Sequence, residues 1–250
     1  MSTVLDSGQY TKSAIEKYEA VYGRNFVSPG GLGATQAFTA LLKLQADMTV
    51  LDVGCGIGGG AFYMAKQYGV QVHGLDLSTN MLALAEERCK AAHLEKLVTF
   101  TQGDILTFAP SIQYDRVYSR DVFLHIDAKA QLFRVLNACL KPGGILLFTD
   151  YCCGENEKSA EFADYIRQRN YALCTVAEYQ AWLAETGFGV LAAEDRTAQF
   201  IRILEQEVTN LPVDRLDPHL VDDIKQAWQE KIVWARRGEQ RWGLFMAQRK

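Results

Sequence analysis

The sequence lacks any run of about 18 apolar residues, the length that a membrane-spanning helix needs. Its start, MSTVLDSGQYTKSAIEKYEA, lacks the charged beginning and long apolar centre of a secretory signal peptide. No internal repeat, low-complexity tract or linker interrupts the chain. These absences predict one domain that does not insert into a membrane.

Disulfide and metal frameworks are also missing from the sequence. None of the six cysteines forms a C-x-x-C pair, and the adjacent Cys152 and Cys153 have poor geometry for a disulfide with each other. The histidines and carboxylates lack the spacing of metal ligands. We therefore expect reduced thiols, no metal centre and a cytoplasmic location.

Acidic residues outnumber basic ones: the sequence has 26 Lys and Arg and 30 Asp and Glu, which gives a formal net charge of -4. This balance disfavours a nucleic-acid partner, which needs a basic face, and no NPPY-type motif of base-flipping enzymes is present. Hydrophobic residues make up 48% of the chain, enough for a large core. We expect a globular protein whose partner is a small molecule.

Short apolar strands alternate with amphipathic helices along most of the chain. A helix from Tyr10 to Tyr22 and another that ends near Leu44 come first, and Ser78 is placed to cap a later helix. Two helices follow Tyr151 without a strand between them. The alternation predicts a doubly wound, parallel α/β sheet. The seven predicted strands lie within TVLDV (49–53), VQVHGLDLS (70–78), LVTFTQGDI (97–105), YDRVYS (114–119), LKPGGILLFTDY (140–151), GFGVLAAED (187–195) and QRWGLFMAQR (240–249).

The first strand leads into a glycine-rich loop, LDVGCGIGGG. Gly54, Gly56 and Gly59 form G-x-G-x-x-G, which lets the backbone turn tightly and approach a ligand in front of a helix N-terminus. Asp76 ends the second strand about 20 residues later, where a carboxylate accepts hydrogen bonds from ribose hydroxyls. These features fit NAD and S-adenosylmethionine equally.

Two further acids separate these two ligands. Asp52, just before Gly54, would repel a pyrophosphate but suits a ligand that carries an ammonium and a sulfonium. Asp104 follows the third strand, where it can accept from an adenine amine. With the Asp115 strand and the LKPGG turn, this order resembles the Rossmann-like S-adenosylmethionine-dependent methyltransferases. Taken singly, Asp52 could cap a turn, and Asp76 or Asp104 could be an ordinary loop residue.

Other motifs resemble one family, the phosphoethanolamine N-methyltransferases, which methylate phosphoethanolamine stepwise to phosphocholine. Nearly the whole chain takes part in the resemblance, which is weakest from Thr197 to Trp228. The most specific motifs are QYT, SRD-x-x-x-H and Y-x-x-x-R-x-Y. Other matching stretches are NFVSPGG, LDVGCGIGGG, HGLDLS, GDIL, KPGG, LLFTDYC, EYQ and QRWG.

The resemblance implies a catalytic pair, Tyr10 in QYT and His125 in SRDVFLH. An alkyl ammonium has a pKa near about 10, so its nitrogen must lose a proton before it can attack a methyl group. Histidine can accept that proton, and tyrosine can hold its orientation. Asp121 matches the family residue that faces the substrate amine. Without the resemblance, His125 is a structural histidine and Tyr10 a packing aromatic.

A phosphate-binding group is implied as well, because arginine offers phosphate a planar fork and phenols add neutral donors. Tyr165 and Arg169 are four residues apart and share a helix face. Alone, Y-x-x-x-R-x-Y would instead be a solvated helix with aromatic anchors. The implied substrate-binding residues are Gln9, Tyr18, Asp121, Tyr151, Tyr165, Arg169, Tyr171 and Lys231.

The implied cofactor is S-adenosylmethionine, with S-adenosylhomocysteine as its product. The N-terminal helix would fold over both ligands as a lid that excludes water. The resemblance and the glycine loop together predict these cofactor-binding residues: Val27, Ser28, Asp52, Gly54, Gly56, Asp76, Leu77, Asp104, Ile105 and Arg120.

We expect a single methyltransferase domain over residues 1–250. It combines lid and phosphate residues, as single-domain members of the family do, so we expect it to carry out all three methylations. We also expect a monomer. Two alternatives stay open: a methyltransferase for another small amine or natural product, and a non-catalytic S-adenosylmethionine-binding protein. The expected segments are 1–46 (N-terminal lid helices), 47–150 (cofactor-binding core), 151–186 and 197–237 (helical acceptor-site elements), and 187–196 and 238–250 (last strands).

Overall fold

The computed structural model describes residues 11–250, except for the side chain of Lys12. The helices are α1 (Lys12–Tyr22), α2 (Gly31–Leu41), α3 (Gly59–Tyr68), α4 (Thr79–Ala91), α5 (Lys129–Cys139), α6 (Ala160–Arg169), α7 (Val176–Glu185), α8 (Thr197–Thr209) and α9 (Pro218–Arg237). The strands are β1 (Thr49–Val53), β2 (Gln71–Asp76), β3 (Val98–Gln102), β4 (Tyr114–Arg120), β5 (Leu140–Cys153), β6 (Phe188–Asp195) and β7 (Gln240–Arg249). Single turns of 3₁₀ helix lie at Ile105–Thr107, Phe123–His125 and Val213–Arg215.

The strands form one seven-stranded sheet in the order β3-β2-β1-β4-β5-β7-β6. The prediction of a doubly wound α/β sheet is confirmed, but the sheet is mixed, since β7 runs antiparallel to both β5 and β6. The reason lies in the preceding helices. β6 ends at Asp195, beside Gly243, and β7 starts at Gln240, beside Cys153. α8 begins and α9 ends at this same edge of the sheet. β7 therefore starts at the edge where β5 and β6 end, and it runs antiparallel to both.

Apolar side chains of the strands alternate between two cores, one on each face of the sheet. On β5, Leu147 and Tyr151 belong to one core, while Leu146 and Phe148 belong to the other. Residues of α2, α3, α4, α8 and α9 complete the first core, and residues of α5 and α7 complete the second. Both faces of the sheet are therefore covered, as its run of buried parallel strands requires.

Local capping chemistry fixes several helix boundaries. The hydroxyl of Ser78 accepts from the Met81 N–H at 3.2 Å, which confirms its predicted capping role. α7 begins with a capping box formed by Thr175 and Glu178. Of the two helices that follow Tyr151, α6 lies at the carboxyl edge of the sheet, whereas α7 packs beside α5 and β6.

α1 lies across the glycine-rich loop. Ile15 packs with Ile57 of that loop and with Met81 of α4, and the Tyr22 ring centre lies 5.7 Å from that of Trp228 in α9. In residues 11–250, no helix is both long and apolar enough to cross a membrane.

Candidate active site

The glycine-rich loop turns sharply at the carboxyl edge of the sheet, between β1 and α3. Gly54 and Gly56 have φ values of +68° and +53°, a conformation that favours glycine. The Gly54 N–H donates to the Leu75 carbonyl at 2.7 Å, and a Cβ on Gly54 would lie 2.2 Å from the Val122 side chain. Conformation and space both exclude a side chain here, so the backbone itself forms the wall of the site.

A cleft opens beside this loop, bounded by the segment that joins α1 to α2. Asp52 is 4% exposed, and burial together with the nearby Asp76 charge raises its pKa to about 7, against the effect of Arg120. A cation bound beside Asp52 would lower that pKa and restore the negative charge. Five predicted cofactor residues line the cleft: Val27, Ser28, Asp52, Gly54 and Arg120.

Asp76 holds the neighbouring part of the loop in place. Its Oδ2 accepts from the Gly56 N–H at 2.8 Å, and its Oδ1 accepts from the Ser78 N–H at 2.9 Å. The carboxylate therefore has a fixed orientation at the end of β2. Leu77 follows it, and the Leu77 carbonyl accepts from the Gln102 amide at 3.3 Å.

Asp104 follows β3 and lies at the same edge of the sheet, because β2 and β3 run in parallel. Its Oδ1 accepts from the Leu106 N–H at 2.9 Å and so caps the turn Ile105–Thr107. This short turn buries Ile105.

Arg120 fastens the start of α2 to the end of β4. Its guanidinium donates to the Pro29 carbonyl, to the Gly31 carbonyl at 3.4 Å and to the Thr35 hydroxyl at 3.3 Å. The buried Nε has no hydrogen-bond partner within residues 11–250. Arg120 thus shapes the cleft as well as lining it.

Asp121 comes directly after β4 and adopts a left-handed backbone, with φ of +56°. Its Oδ1 accepts from Trp242 Nε1 at 2.8 Å and from the Thr149 hydroxyl at 3.1 Å. The buried Oδ2 has no hydrogen-bond partner in the described part of the chain, and Arg120 Nη2 lies 3.7 Å away. Burial raises the pKa of this carboxyl. A buried oxygen without a donor is a place where an ammonium would bind.

Lys231 of α9 brings a cation to the same region. Its Nζ lies 4.8 Å from the Trp228 ring centre and 5.5 Å from that of Tyr151, and forms no ion pair within residues 11–250. Burial, aided by the charge of Arg169, lowers its pKa to about 8, while Glu207 and Asp121 oppose this. An anion bound here would stabilise the ammonium.

Aromatic side chains connect Lys231 with the end of α6. The Arg169 guanidinium lies 6.0 Å from the Tyr165 ring centre, and Tyr165 meets Tyr171 edge-on at 5.7 Å. Burial lowers the pKa of Arg169, but the phenols of Tyr171, Tyr18 and Tyr165 together raise it by more. Phenol hydroxyls thus surround the guanidinium. The phenols and the guanidinium can together donate hydrogen bonds to one anion.

His125 lies beside this group, at the end of the turn Phe123–His125. Its ring centre is 5.1 Å from that of Tyr171, in an edge-on arrangement. Burial lowers its pKa to about 4, and the positive charges of Lys129 and Arg169 act in the same direction. The imidazole is therefore neutral at neutral pH and free to accept a proton.

The predicted residues Gln9 and Tyr10 lie outside the described residues. The helix that follows them is anchored over the site, because Arg88 of α4 donates to both carboxylate oxygens of Glu19 at 2.5 and 2.8 Å. Arg88 also donates to the Asn25 amide oxygen at 3.0 Å. This network joins α1 and the cleft-lining segment to α4.

Three residues that the sequence did not single out also shape the site. Trp242 orients Asp121, and its motif QRWG was a signal that could have indicated it. Glu207 accepts from the Gly30 N–H at 2.6 Å and from Trp228 Nε1 at 2.7 Å, joining the two halves of the site. It falls in the stretch where the resemblance is weakest. Lys129 anchors the turn that carries His125.

Comparison with known proteins agrees with this architecture. A family profile described as a methyltransferase domain matches residues 50–144, which span β1 to the start of β5. Fold, glycine loop and profile define a Rossmann-like methyltransferase.

Relatives over the whole chain narrow the class to one family. Phosphoethanolamine N-methyltransferase 1 of Arabidopsis thaliana is 44% identical over 97% of this chain, and phosphoethanolamine N-methyltransferase of Plasmodium falciparum is 35% identical over 98% of it. The solved structure of Haemonchus contortus phosphoethanolamine N-methyltransferase 2, in complex with phosphomonomethylethanolamine and S-adenosylhomocysteine, superposes with a TM-score of 0.93, at 33% identity over 99% of this chain. The chain belongs to the phosphoethanolamine N-methyltransferase family.

The relatives differ in length. This chain spans about half of the Arabidopsis protein (50%) and 59% of the Haemonchus chain, but 95% of the Plasmodium protein.

Proposed function

We propose that this chain transfers methyl groups from S-adenosylmethionine to the nitrogen of phosphoethanolamine, stepwise through the mono- and dimethyl forms to phosphocholine. One observation carries the proposal. The Asp121 Oδ2, which accepts no hydrogen bond within residues 11–250, lies in the same aromatic-walled region as the cations of Lys231 and Arg169. A carboxylate for an amine and two cations for a phosphate match both ends of this substrate. The names and ligands of the relatives support the same chemistry.

The cleft beside the glycine loop is the proposed cofactor site. Bound S-adenosylmethionine supplies an electrophilic methyl group on its sulfonium. The fit rests on Asp52, a buried acid whose pKa of about 7 a ligand ammonium would lower. Asp76 would bind the ribose, and Asp104 the adenine amine. The remaining proposed contacts are Val27, Ser28, Gly54, Gly56, Leu77, Ile105 and Arg120.

The acceptor site would grip the substrate by its phosphate. Arg169 and Lys231 neutralise its charge, while Tyr151, Tyr165 and Tyr171 donate hydrogen bonds from their phenols. Tyr18 of α1 and Gln9 complete the proposed enclosure. With the phosphate held, Asp121 Oδ2 accepts a hydrogen bond from the substrate ammonium and fixes the nitrogen.

His125 is the proposed proton acceptor. Its imidazole is neutral before the substrate binds, because its pKa is about 4. A bound phosphate dianion would raise that pKa and make the imidazole a stronger base as the ammonium arrives. Tyr10 is proposed, from the motif QYT, to hold the orientation of His125.

We infer that the segments predicted from the sequence act as one domain, with α1 as lid and α6 and α9 at the acceptor site. We further infer a monomer that acts on small molecules and not on nucleic acid. All six cysteines are free, which supports a reducing, cytoplasmic setting.

Mass analysis of products over time tests the proposal directly. With S-adenosylmethionine and phosphoethanolamine, we expect the mono- and dimethyl forms to appear and decay as phosphocholine accumulates. Ethanolamine without the phosphate is the matched control and should stay unmethylated. Stalling after the first addition would reject the three-step reaction, and methylation of free ethanolamine would favour a general amine methyltransferase.

Calorimetry separates the non-catalytic alternative from the enzyme. We expect phosphocholine to bind and choline not to bind, because the proposed site recognises the phosphate through the cations of Arg169 and Lys231. Tight S-adenosylhomocysteine binding with neither phosphocholine binding nor turnover would favour a protein that only binds the cofactor.

A further inference from the structure

Lys129 is a buried lysine whose ammonium has no carboxylate partner within residues 11–250. Its side chain is 4% exposed, at the start of α5. Its Nζ donates to three backbone carbonyls: those of Phe123 at 2.7 Å, Ile126 at 2.5 Å and Ala172 at 2.8 Å. Three carbonyls satisfy all three N–H donors of the ammonium, and the Tyr179 ring centre lies 5.5 Å from Nζ.

These carbonyls belong to two segments of the proposed acceptor site. Phe123 and Ile126 flank His125, whereas Ala172 follows Tyr171. The Ala172 N–H donates in turn to the Leu124 carbonyl at 2.7 Å. Lys129 therefore ties the turn that carries His125 to the segment that carries Tyr171, whose rings meet edge-on at 5.1 Å.

We propose that Lys129 is a positioning residue for His125: its ammonium holds the turn that carries the imidazole against Tyr171, and its charge disfavours protonation of the ring before substrate binds. This role rests on the proposed function of His125 as proton acceptor. A neutral amide could hold the same carbonyls less completely, but it would not repel a proton from the ring.

The charges around the pair are few. Among residues 11–250, the cations that face His125 are Lys129 from α5 and Arg169 from α6. Burial is the largest cause of the lowered His125 pKa, and both cations lower it further. Burial raises the pKa of the Tyr165 phenol, so that side chain adds no charge near neutral pH. Lys129 itself faces Asp150, Asp127 and the thiols of Cys174 and Cys152. Burial raises the pKa of Asp150 to about 8, and its Oδ2 accepts from the Tyr179 hydroxyl, whereas Lys129 forms no ion pair with it within residues 11–250.

The test is the titration of His125 by NMR of ring-labelled histidine, without ligands, in Lys129 variants. Lys129→Met removes the charge and the donors, Lys129→Gln removes the charge but keeps an amide donor, and Lys129→Arg keeps the charge. We expect the His125 pKa to rise by about one pH unit in the Met and Gln variants and to stay within a few tenths in the Arg variant. Lys96→Met, at an exposed position, is the control, and the signals of His73, His93 and His219 are internal references.

Activity gives the second readout. We expect the acid limb of the pH profile of kcat/KM to move upward with the His125 pKa in Lys129→Gln and to stay in place in Lys129→Arg. An unchanged His125 pKa in the Gln variant would overturn the proposal, even if Lys129→Met does not fold. Absent turnover in the unmodified chain would instead reject the proposed function, while the NMR titration would still decide the role of Lys129.

Discussion

Trp242 donates a hydrogen bond of 2.8 Å from Nε1 to Oδ1 of Asp121, while Oδ2 of the same carboxylate has no hydrogen-bond partner in the described part of the chain. The indole is fully buried in the core of the sheet and cannot turn away. One carboxylate oxygen is thus committed to the protein by hydrogen bonds, whereas the other has the Arg120 guanidinium nearby, with its Nη2 at 3.7 Å.

Trp242→Phe should weaken catalysis without abolishing it. The change removes one hydrogen bond to a charged group, worth about 1.5–3 kcal/mol, and frees the carboxylate to rotate. We expect kcat/KM for phosphoethanolamine to fall at least about tenfold. Trp182→Phe, on α7 at the opposite face of the sheet, is the matched control and should leave kcat/KM unchanged. Steady-state kinetics of both variants decide the point, and an unaffected Trp242→Phe enzyme would contradict the proposed role of Asp121.

Arg169→Ala should raise KM much more than it lowers kcat. The guanidinium would bind the phosphate equally in the ground state and the transition state, and such uniform binding is expressed in KM. Loss of a charge-assisted contact of about 1.5–3 kcal/mol corresponds to a KM increase of about 10- to 100-fold. Arg167 lies on the same helix with a side chain 72% exposed and pairs with Asp164, so Arg167→Ala should behave like the unmodified chain. Equal KM values in the two variants would remove Arg169 from the phosphate site.

Much of the fold could be predicted from local signals. The runs TVLDV and VQVHGLD are buried parallel strands, and Ser78 caps its helix as expected. The direction of β7 could not be predicted, because it depends on both preceding helices staying at one edge of the sheet. No short-range sequence pattern specifies that the chain comes back to the edge at which β6 ended.

Some residues of the candidate site could likewise be predicted from the sequence, whereas others depend on tertiary packing. Gly54, Asp76 and Asp104 could be placed because parallel strands bring their carboxyl ends together. Glu207 could not, since its two partners, Gly30 and Trp228, are far apart in the sequence and meet only through tertiary packing.

Gly54→Ala should disrupt the cofactor cleft. Its φ of +68° strains any side chain, and the added Cβ would lie 2.2 Å from Val122. We expect a loss of at least about 2 kcal/mol in the free energy of unfolding and no measurable S-adenosylhomocysteine binding by calorimetry. Gly33 is the control, because it lies in α2 and a Cβ added there would meet no described atom within 4 Å. Gly33→Ala should instead stabilise the chain by about 0.5–1 kcal/mol. Similar melting temperatures for the two variants would contradict the strained loop.

The affinity for phosphocholine should fall as pH rises above about 8. In the free protein Lys231 has a pKa of about 8, and a bound phosphate dianion would raise it. Between the free and bound values, binding takes up a proton, so the association constant should drop by as much as tenfold per pH unit. Phosphocholine itself does not titrate in this range, since its amine is quaternary and its phosphate pKa is about 6.

Calorimetry from pH 8 to 10, in buffers of different ionisation enthalpy, measures both the affinity and the proton uptake. The carboxyls that face Lys231 are Asp121 and Glu207, and burial raises the pKa of Glu207 to about 7, below this window. Lys231→Met should bind phosphocholine more weakly at pH 8 and show no pH dependence, because the titrating ammonium is gone. If the variant kept the slope of the unmodified chain, another group would be responsible and Lys231 would have no place at the phosphate.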